Sequence, residues 1–375
     1  MPLEEIRELG HEQVVFVNER EAGLKAIIAI HNTTLGPGLG GLRMWPYESE
    51  AEALTDVLRL SRGMTYKAAA AGLNLGGGKA VIIGDPKKDK SETLFRAFGR
   101  AVNALGGRYI TAEDVGTDVY DMEYIYMETG SVTGLDTAHG GSGDPSPFTA
   151  LGVLQGMRAA AEFVWGDQRL RGKKVAIQGL GHVGLNLAKL VVEDGASVVA
   201  CDIDADRVET AKKEVPGIEI VPADDDSIFG TGAEILAPCA LGGAINERTI
   251  DKITAKIIAG AANNQLADDA MGAEVHRRGI LYCPDYVINA GGLINVSVEL
   301  EGYSRERALR LTQGIFHNTL RILKIAQDEE IPTSVAADRL AEARIASIGK
   351  VRGAFGSFHR GRGTSTTAQG RPFSR

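Results

Sequence analysis

The chain is short of cysteine, of aromatic residues, of positive charge and of long apolar runs, and each shortage removes a class of protein. Its three cysteines, Cys201, Cys239 and Cys283, are odd in number, far apart and set in apolar surroundings. That excludes a disulfide framework and marks them as reduced core residues. Lys and Arg number 41 against 49 Asp and Glu, a net charge of -8. With no basic stripe before the extreme C-terminus, nucleic acid is not an expected partner. No apolar segment has the length a membrane helix needs, and the N-terminal Met-Pro-Leu-Glu-Glu-Ile-Arg is acidic and lacks the apolar core of a signal peptide. A cytoplasmic protein without membrane partner or metal is expected. Hydrophobic residues at 44% and charged residues at 24% describe an ordinary globular chain.

At 375 residues the chain exceeds the roughly 250–300 at which single cores stop growing, so two domains are expected. Gln13–Val17 and Leu24–Ile30 are β-branched runs that read as adjacent strands joined by a turn, with a Gly-rich stretch after them. Leu54, Val57, Leu58 and Ser61 fall at helical spacing, as do Leu94, Phe98, Ala101, Val102 and Leu105, with Ser91 placed to cap the second helix. Ala80–Ile83 and Tyr109–Ala112 read as short buried strands whose ends deliver Lys79 and Asp114. A Gly, Ser and Pro enrichment over Ala138–Pro147 marks the boundary between residues 1–140 and 141–330, crossed by a helix over about Thr149–Val164.

From Lys174 strands and helices alternate through Val175–Gln178, Ser197–Asp202, Ile218–Val221, Ile235–Ala237, Ile257–Ala259 and Ile280–Tyr282. This alternation predicts a parallel sheet with helices on both faces. Ser304–Gln327 reads as one long helix returning to the first domain, and a shorter helix after Pro332 joins that domain over about 330–350. Beyond Val351 the chain turns to Gly, Ser, Thr and Arg without acids, which predicts a disordered tail over 351–375.

Gly179-Leu180-Gly181-His182-Val183-Gly184 follows a predicted strand and opens a predicted helix, the context a dinucleotide fingerprint requires. The first glycine permits the tight turn, the second the approach of the pyrophosphate, and the third close helix packing. Asp202 ends the next strand, near the spacing at which a carboxylate holds ribose hydroxyls. With Asp204 it would repel a ribose phosphate, which favours NAD over NADP although Arg207 lies close by. A Gly-rich turn without a ligand is the bland alternative.

Lys67 and Lys79 border a glycine-rich segment, Gly72-Leu73-Asn74-Leu75-Gly76-Gly77-Gly78. The glycines allow close backbone approach to a ligand, and two nearby buried ammonium groups disfavour each other's charge, so a lysine here can act as a base. Ordinary surface lysines fit the spacing equally well. A Walker loop does not, because it needs Gly at 73 and Ser or Thr at 80, where the chain has Leu73 and Ala80.

Six segments together resemble the Glu/Leu/Phe/Val dehydrogenase family, and most its leucine and valine branch. They are Gly-Leu-Gly-Gly-Leu-Arg-Met from Gly38, Met-Thr-Tyr-Lys ending at Lys67, Gly-Leu-Asn-Leu-Gly-Gly-Gly-Lys ending at Lys79, Glu-Asp-Val-Gly from Glu113, Ala-Asn-Asn-Gln from Ala262 and Asn-Ala-Gly-Gly from Asn289. The likeness runs from about His31 to Ala346. It implies an N-terminal α/β substrate and oligomerisation domain, a Rossmann-type NAD domain and a homo-oligomer. It further implies that Lys67 holds the substrate carboxylate near the backbone of Gly40 and Gly41, that Lys79 activates water, and that Asp114 exchanges a proton with the substrate amine. The implied reaction is reversible oxidative deamination of an amino acid to a 2-oxo acid and ammonia. Thr149, Ala240 and Asn263 match positions that meet the nicotinamide, and Asn263 also reaches substrate. Cys239, beside Ala240, lacks the His and Asp company of a thiol nucleophile.

Pocket positions in the family map to Leu39, Met64, Ala112, Leu293 and Val296, all apolar. Glutamate is therefore disfavoured, since its distal carboxylate would be buried unpaired. Leu293 is bulkier than the family's usual residue there, which favours leucine, valine or isoleucine over phenylalanine or tryptophan. A 2-hydroxy-acid dehydrogenase would want an Arg with a His and acid pair, and no such set stands in the right context. An inactive NAD-binding sensor would have no reason to keep Lys67, Lys79 and Asp114 together.

Overall fold

Two sheets organise the chain in the computed structural model, which describes residues 2–223 and 226–355. Helix α1 (Pro2–Glu8) precedes strands β1 (Gln13–Glu19) and β2 (Leu24–Asn32), which pair antiparallel with Gln13 opposite Ile30. Strand β3 (Gly38–Trp45), helix α2 (Glu50–Ala70), strand β4 (Gly76–Ile83), helix α3 (Glu92–Ala104), strand β5 (Tyr109–Glu113) and helix α4 (Val119–Tyr126) complete the first unit. The sheet order is β1-β2-β4-β3-β5, with β3 parallel to both neighbours.

Alternation along these strands decides what each face does. Leu42, Met44, Ala80, Ile82 and Tyr109 turn to one side and pack with Phe95, Phe98 and Val102 of α3. Ile27, Ala29 and Val81 turn to the other and pack with Leu54, Val57 and Leu58 of α2. Ser91 does cap α3, accepting from Leu94 N at 3.2 Å.

Helix α5 (Ser146–Trp165) leads to the second sheet, formed by β6 (Lys174–Gln178), β7 (Ser197–Cys201), β8 (Glu219–Ile220), β9 (Ile235–Pro238), β10 (Ile257–Ile258) and β11 (Leu281–Tyr282). Its order is β11-β10-β9-β6-β7-β8 and every pairing is parallel. Helices α6 (His182–Glu193), α7 (Ala205–Glu214) and α8 (Asp269–Arg277) supply its crossovers. The strand order reverses between β6 and β9, the place where open parallel sheets bind ligands beyond their strand ends.

Helices α9 (Asp285–Ile288), α10 (Gly291–Glu299), α11 (Arg305–Gln313), α12 (Ile315–Asp328) and α13 (Thr333–Phe355) close the chain. Three expectations are corrected here. The single helix over Ser304–Gln327 is two, separated at Gly314. The helix after Pro332 is longer than expected at 23 residues and extends past Val351, where the tail was expected to begin. It is held by more than its own sequence: Arg344 donates to the carbonyls of Ala69 at 3.2 Å, Gly72 at 3.0 Å and Leu73 at 2.6 Å, and to Asn74 Oδ1 at 3.1 Å. A cation thus closes the negative end of α2 and ties the C-terminal helix to the first unit. Residues 356–375 lie outside the described residues. Among the described residues no helix is long and apolar enough to cross a membrane.

Candidate active site

The strand alternation puts Leu39, Gly41 and Arg43 of β3, Gly77 and Lys79 of β4, and Ile110 and Ala112 of β5 on the α2 side of the sheet. Lys79 lies inside β4, between Gly78 and Ala80, not at a strand end as the sequence reading had it. It is 5% exposed, and its Nζ is 3.1 Å from Asp114 Oδ2. Asp114 follows β5 directly, so an intervening strand, β3, separates the two partners. They meet because β3 presents Gly40 and Gly41 there: a Cβ on Gly41 would stand 2.8 Å from Asp114 Cβ and 2.6 Å from Glu113 O.

The glycines before Lys79 serve a different purpose from the expected approach of a ligand. A Cβ at Gly76 would fall 1.9 Å from Asn32 O, at Gly77 2.2 Å from Thr65 N, and at Gly78 2.6 Å from the Tyr109 ring. They let the chain's own β2, α2 and β5 close around β4. The consequence reaches the site, because Lys67 stands in the last turn of α2, two residues beyond Thr65. The helix that glycine draws onto the sheet carries the second lysine.

Burial pushes the Lys79 ammonium below the ordinary lysine range, with Asp114 opposing and the Arg43 charge assisting. Burial would raise Asp114, yet the Lys79 and Arg43 charges prevail and hold its carboxyl below the usual value. Lys67 is lowered to about 8, chiefly by burial and further by Lys79, against the pull of Asp285 and Asp114. Its side chain keeps partial exposure, and among the described residues its ammonium has no hydrogen-bond or ion-pair partner. A buried lysine lowered from its ordinary range and a second ammonium with no hydrogen-bond partner among the described residues make a place for an anionic substrate beside a base.

Leu39, Met64, Leu293 and Val296 belong to one apolar cluster, and Ala112 is buried in β5 opposite Gly41. Leu39 and Met64 come from the first unit and Leu293 and Val296 from α10. The expected pocket therefore draws on both ends of the chain.

The Gly-rich turn of the second sheet has three distinct glycines. Gly179 has a φ of 100°, and a Cβ there would meet Ala240 Cβ at 3.0 Å; a Cβ on Gly184 would meet Gly179 O at 2.0 Å. Gly181 is different. A Cβ there would find only Arg207 Nη1, at 3.9 Å, and the turn opens a 12-residue helix with no side-chain cap, beside exposed His182 and half-buried Val183. Free helix N–H groups above an open glycine fit a pyrophosphate, so the residues present suit a dinucleotide. Asp202 accepts from Leu180 N at 2.6 Å and Asp204 N at 2.9 Å, which fixes a carboxylate at the end of β7 beside the turn. Thr149 sits in the first turn of α5 against the start of α10, where a Cβ on Gly292 would be 2.8 Å from its Oγ1. Asn263 is exposed and its Oδ1 accepts from Asn289 Nδ2 at 2.7 Å, which joins two of the sequence segments noted above. Burial pushes the Cys239 thiol up to about 12, the opposite direction from that of a thiolate nucleophile.

Two charged residues escaped the sequence reading. Arg43 Nε donates to Asp114 Oδ2 at 3.0 Å and its Nη1 to Asp56 Oδ2 at 2.8 Å. Asp285 accepts from Gln265 N at 2.9 Å and Tyr286 N at 2.6 Å while its charge faces Lys67. Arg43 stood in the Gly-Gly-Leu-Arg-Met segment, where the run itself was the available signal. Asp285 had none.

A parallel nucleotide-type sheet with its fingerprint, in one chain with a buried lysine paired to a carboxylate and a second buried ammonium, defines a dehydrogenase with a nicotinamide cofactor. Residues 11–131 match the model of the Glu/Leu/Phe/Val dehydrogenase dimerisation domain, and residues 140–353 that of Glutamate/Leucine/Phenylalanine/Valine dehydrogenase. A leucine dehydrogenase of Geobacillus stearothermophilus is 56% identical over 92% of this chain and 93% of its own length. A valine dehydrogenase of Streptomyces virginiae is 52% identical over 90% and 94%. The crystal structure of L-tryptophan dehydrogenase from Nostoc punctiforme superimposes with a TM-score of 0.83 at 46% identity, over 93% of this chain and 99% of that one. The chain belongs to the Glu/Leu/Phe/Val dehydrogenase family, whose members named here are amino-acid dehydrogenases.

Proposed function

We propose that this protein catalyses the reversible NAD-dependent oxidative deamination of branched-chain L-amino acids. The observation that carries the reading is the buried Lys79 ammonium 3.1 Å from Asp114, with Lys67, unpaired among the described residues, on the helix packed against the same face of the sheet. Lys67 takes the substrate carboxylate, with the Gly40 and Gly41 backbone at hand. Asp114 takes a proton from the substrate ammonium, giving the neutral amine. The Gly-rich turn over 179–184 would hold NAD, which would supply the acceptor for the Cα hydride, and the oxidised substrate is an iminium. Neutral Lys79 then receives a proton as water adds to that carbon. The proton on Asp114 passes to the carbinolamine nitrogen, and Asp114 then takes the hydroxyl proton as the C–N bond breaks and the C=O bond of the 2-oxo acid forms. Ammonia leaves with the Asp114 proton as ammonium, and Lys79 returns its proton to solvent. Thr149, Ala240 and Asn263 line the nicotinamide side.

The pocket of Leu39, Met64, Ala112, Leu293 and Val296 offers no cation to a distal carboxylate and suits an aliphatic side chain. The leucine and valine dehydrogenases among the relatives support the same substrate class. Asp202 favours NAD, because a 2′-phosphate would meet a fixed carboxylate and Arg207 is already engaged by Asp204 at 3.4 Å and by Asp202 at 3.8 Å. The dimerisation-domain match over residues 11–131 supports a homo-oligomer, and the three free cysteines suit a reducing cytoplasm. Initial rates with L-leucine, L-valine, L-phenylalanine and L-glutamate, each with NAD and with NADP, test this. Leucine or valine with NAD should lead. A preference for phenylalanine or glutamate would overturn the pocket argument, and a preference for NADP the Asp202 argument.

A further inference from the structure

Asp114 is gripped asymmetrically. Lys79 Nζ and Arg43 Nε both meet its Oδ2, at 3.1 and 3.0 Å, while Oδ1 has no hydrogen-bond partner among the described residues. Arg43 is in turn held by Asp56 Oδ2 at 2.8 Å, and the same oxygen accepts from Tyr47 OH at 2.6 Å. Arg43, Asp56 and Asp114 are each about three-quarters shielded from solvent. On the reading above, Lys79 must lose its charge in every turnover, and each time Asp114 loses one of its two cations. A guanidinium does not titrate in this range, so it keeps the carboxylate in place throughout.

We propose that Arg43 is a positioning residue of this site: a permanent cation, set by Asp56 and Tyr47, that anchors Asp114 through Oδ2, leaves Oδ1 free for the substrate amine, and loosens the hold of Asp114 on the Lys79 proton. The inference rests on the amino-acid dehydrogenase reading. The charged groups around Lys79 and Asp114 are Asp56 and Lys67 on α2, Arg43 on β3 and Glu113 at the end of β5, with Asp285 at α9 facing Lys67. Among them Arg43 and Asp56 act on Lys79 with opposite sign. That opposition supplies a signature which a purely structural role would not produce.

The experiment is the pH profile of kcat/KM for L-leucine oxidation in wild type, Arg43→Gln and Asp56→Asn, with thermal melting of each. Arg43→Gln removes the competing cation, so Lys79 keeps its proton longer and the acid limb moves up by about one pH unit. With Asp114 misplaced, kcat falls by about 100-fold. Asp56→Asn keeps an acceptor for Tyr47 and removes a negative charge, so its limb moves down. Limbs unmoved in an active, folded pair would overturn the proposal alone, whatever the loss of rate. Should Arg43→Gln not fold, the direction of the Asp56→Asn limb decides by itself. A wild type that does not oxidise L-leucine overturns both the reading and the proposal.

Discussion

Replacing Lys79 by alanine should lower kcat for deamination by about 10²- to 10⁴-fold, the range that general base catalysis supplies. The expectation follows from position: a buried ammonium beside a carboxylate, on the face that also carries Lys67. The sign of the pH dependence is fixed by the same group. Lys79 works as a base only when neutral, so the wild-type rate should rise with pH through a midpoint below the ordinary lysine range, because burial lowers it. The alanine variant should lose that rising limb together with its rate. Steady-state kinetics across pH read both, and a variant that keeps near-normal turnover would remove Lys79 from the chemistry.

A large structural effect that also reaches the site is expected at Gly77. A methyl group there would lie 2.2 Å from Thr65 N and 2.5 Å from Ser61 O, both backbone atoms of α2. The helix must lift from β4, at a cost of about 1–3 kcal/mol or more for overpacking a tight core. Because Lys67 rides on that helix, KM for the amino acid should rise along with the loss of stability. Gly63 is the matched control. It lies on the same helix, is exposed, and a Cβ there meets nothing within 4 Å, so Gly63→Ala should stabilise the protein by about 0.5–1 kcal/mol. Thermal melts of the two variants should shift in opposite directions. A Gly77→Ala protein as stable as wild type would contradict the packing described here.

Much of the second sheet could be read in the sequence, because parallel strands buried on both faces appear as short apolar runs and each lies within two residues of its expected limits. The first unit hid more. Strand β3, Gly-Leu-Gly-Gly-Leu-Arg-Met-Trp, carries the glycines of a loop and is a strand only because β4 and β5 flank it. Helix α2 continues through Gly63, a residue that weakens a helical pattern without ending it here, and so brings Lys67 into its last turn. At Gly314 the opposite happened, and a pattern read as continuous is interrupted. The individual site residues stood out as motifs. Their connections did not: Arg43 finds its partners 13 and 71 residues away, at separations that no local spacing reveals.

The proposed reaction makes and breaks an amine at this site with a nicotinamide as redox partner. NADH oxidation with 4-methyl-2-oxopentanoate, followed with and without ammonium, measures that directly. Oxidation that requires both the branched 2-oxo acid and ammonium, and yields L-leucine, is the predicted result. Absence of oxidation, or oxidation that proceeds equally well without ammonium, would contradict it.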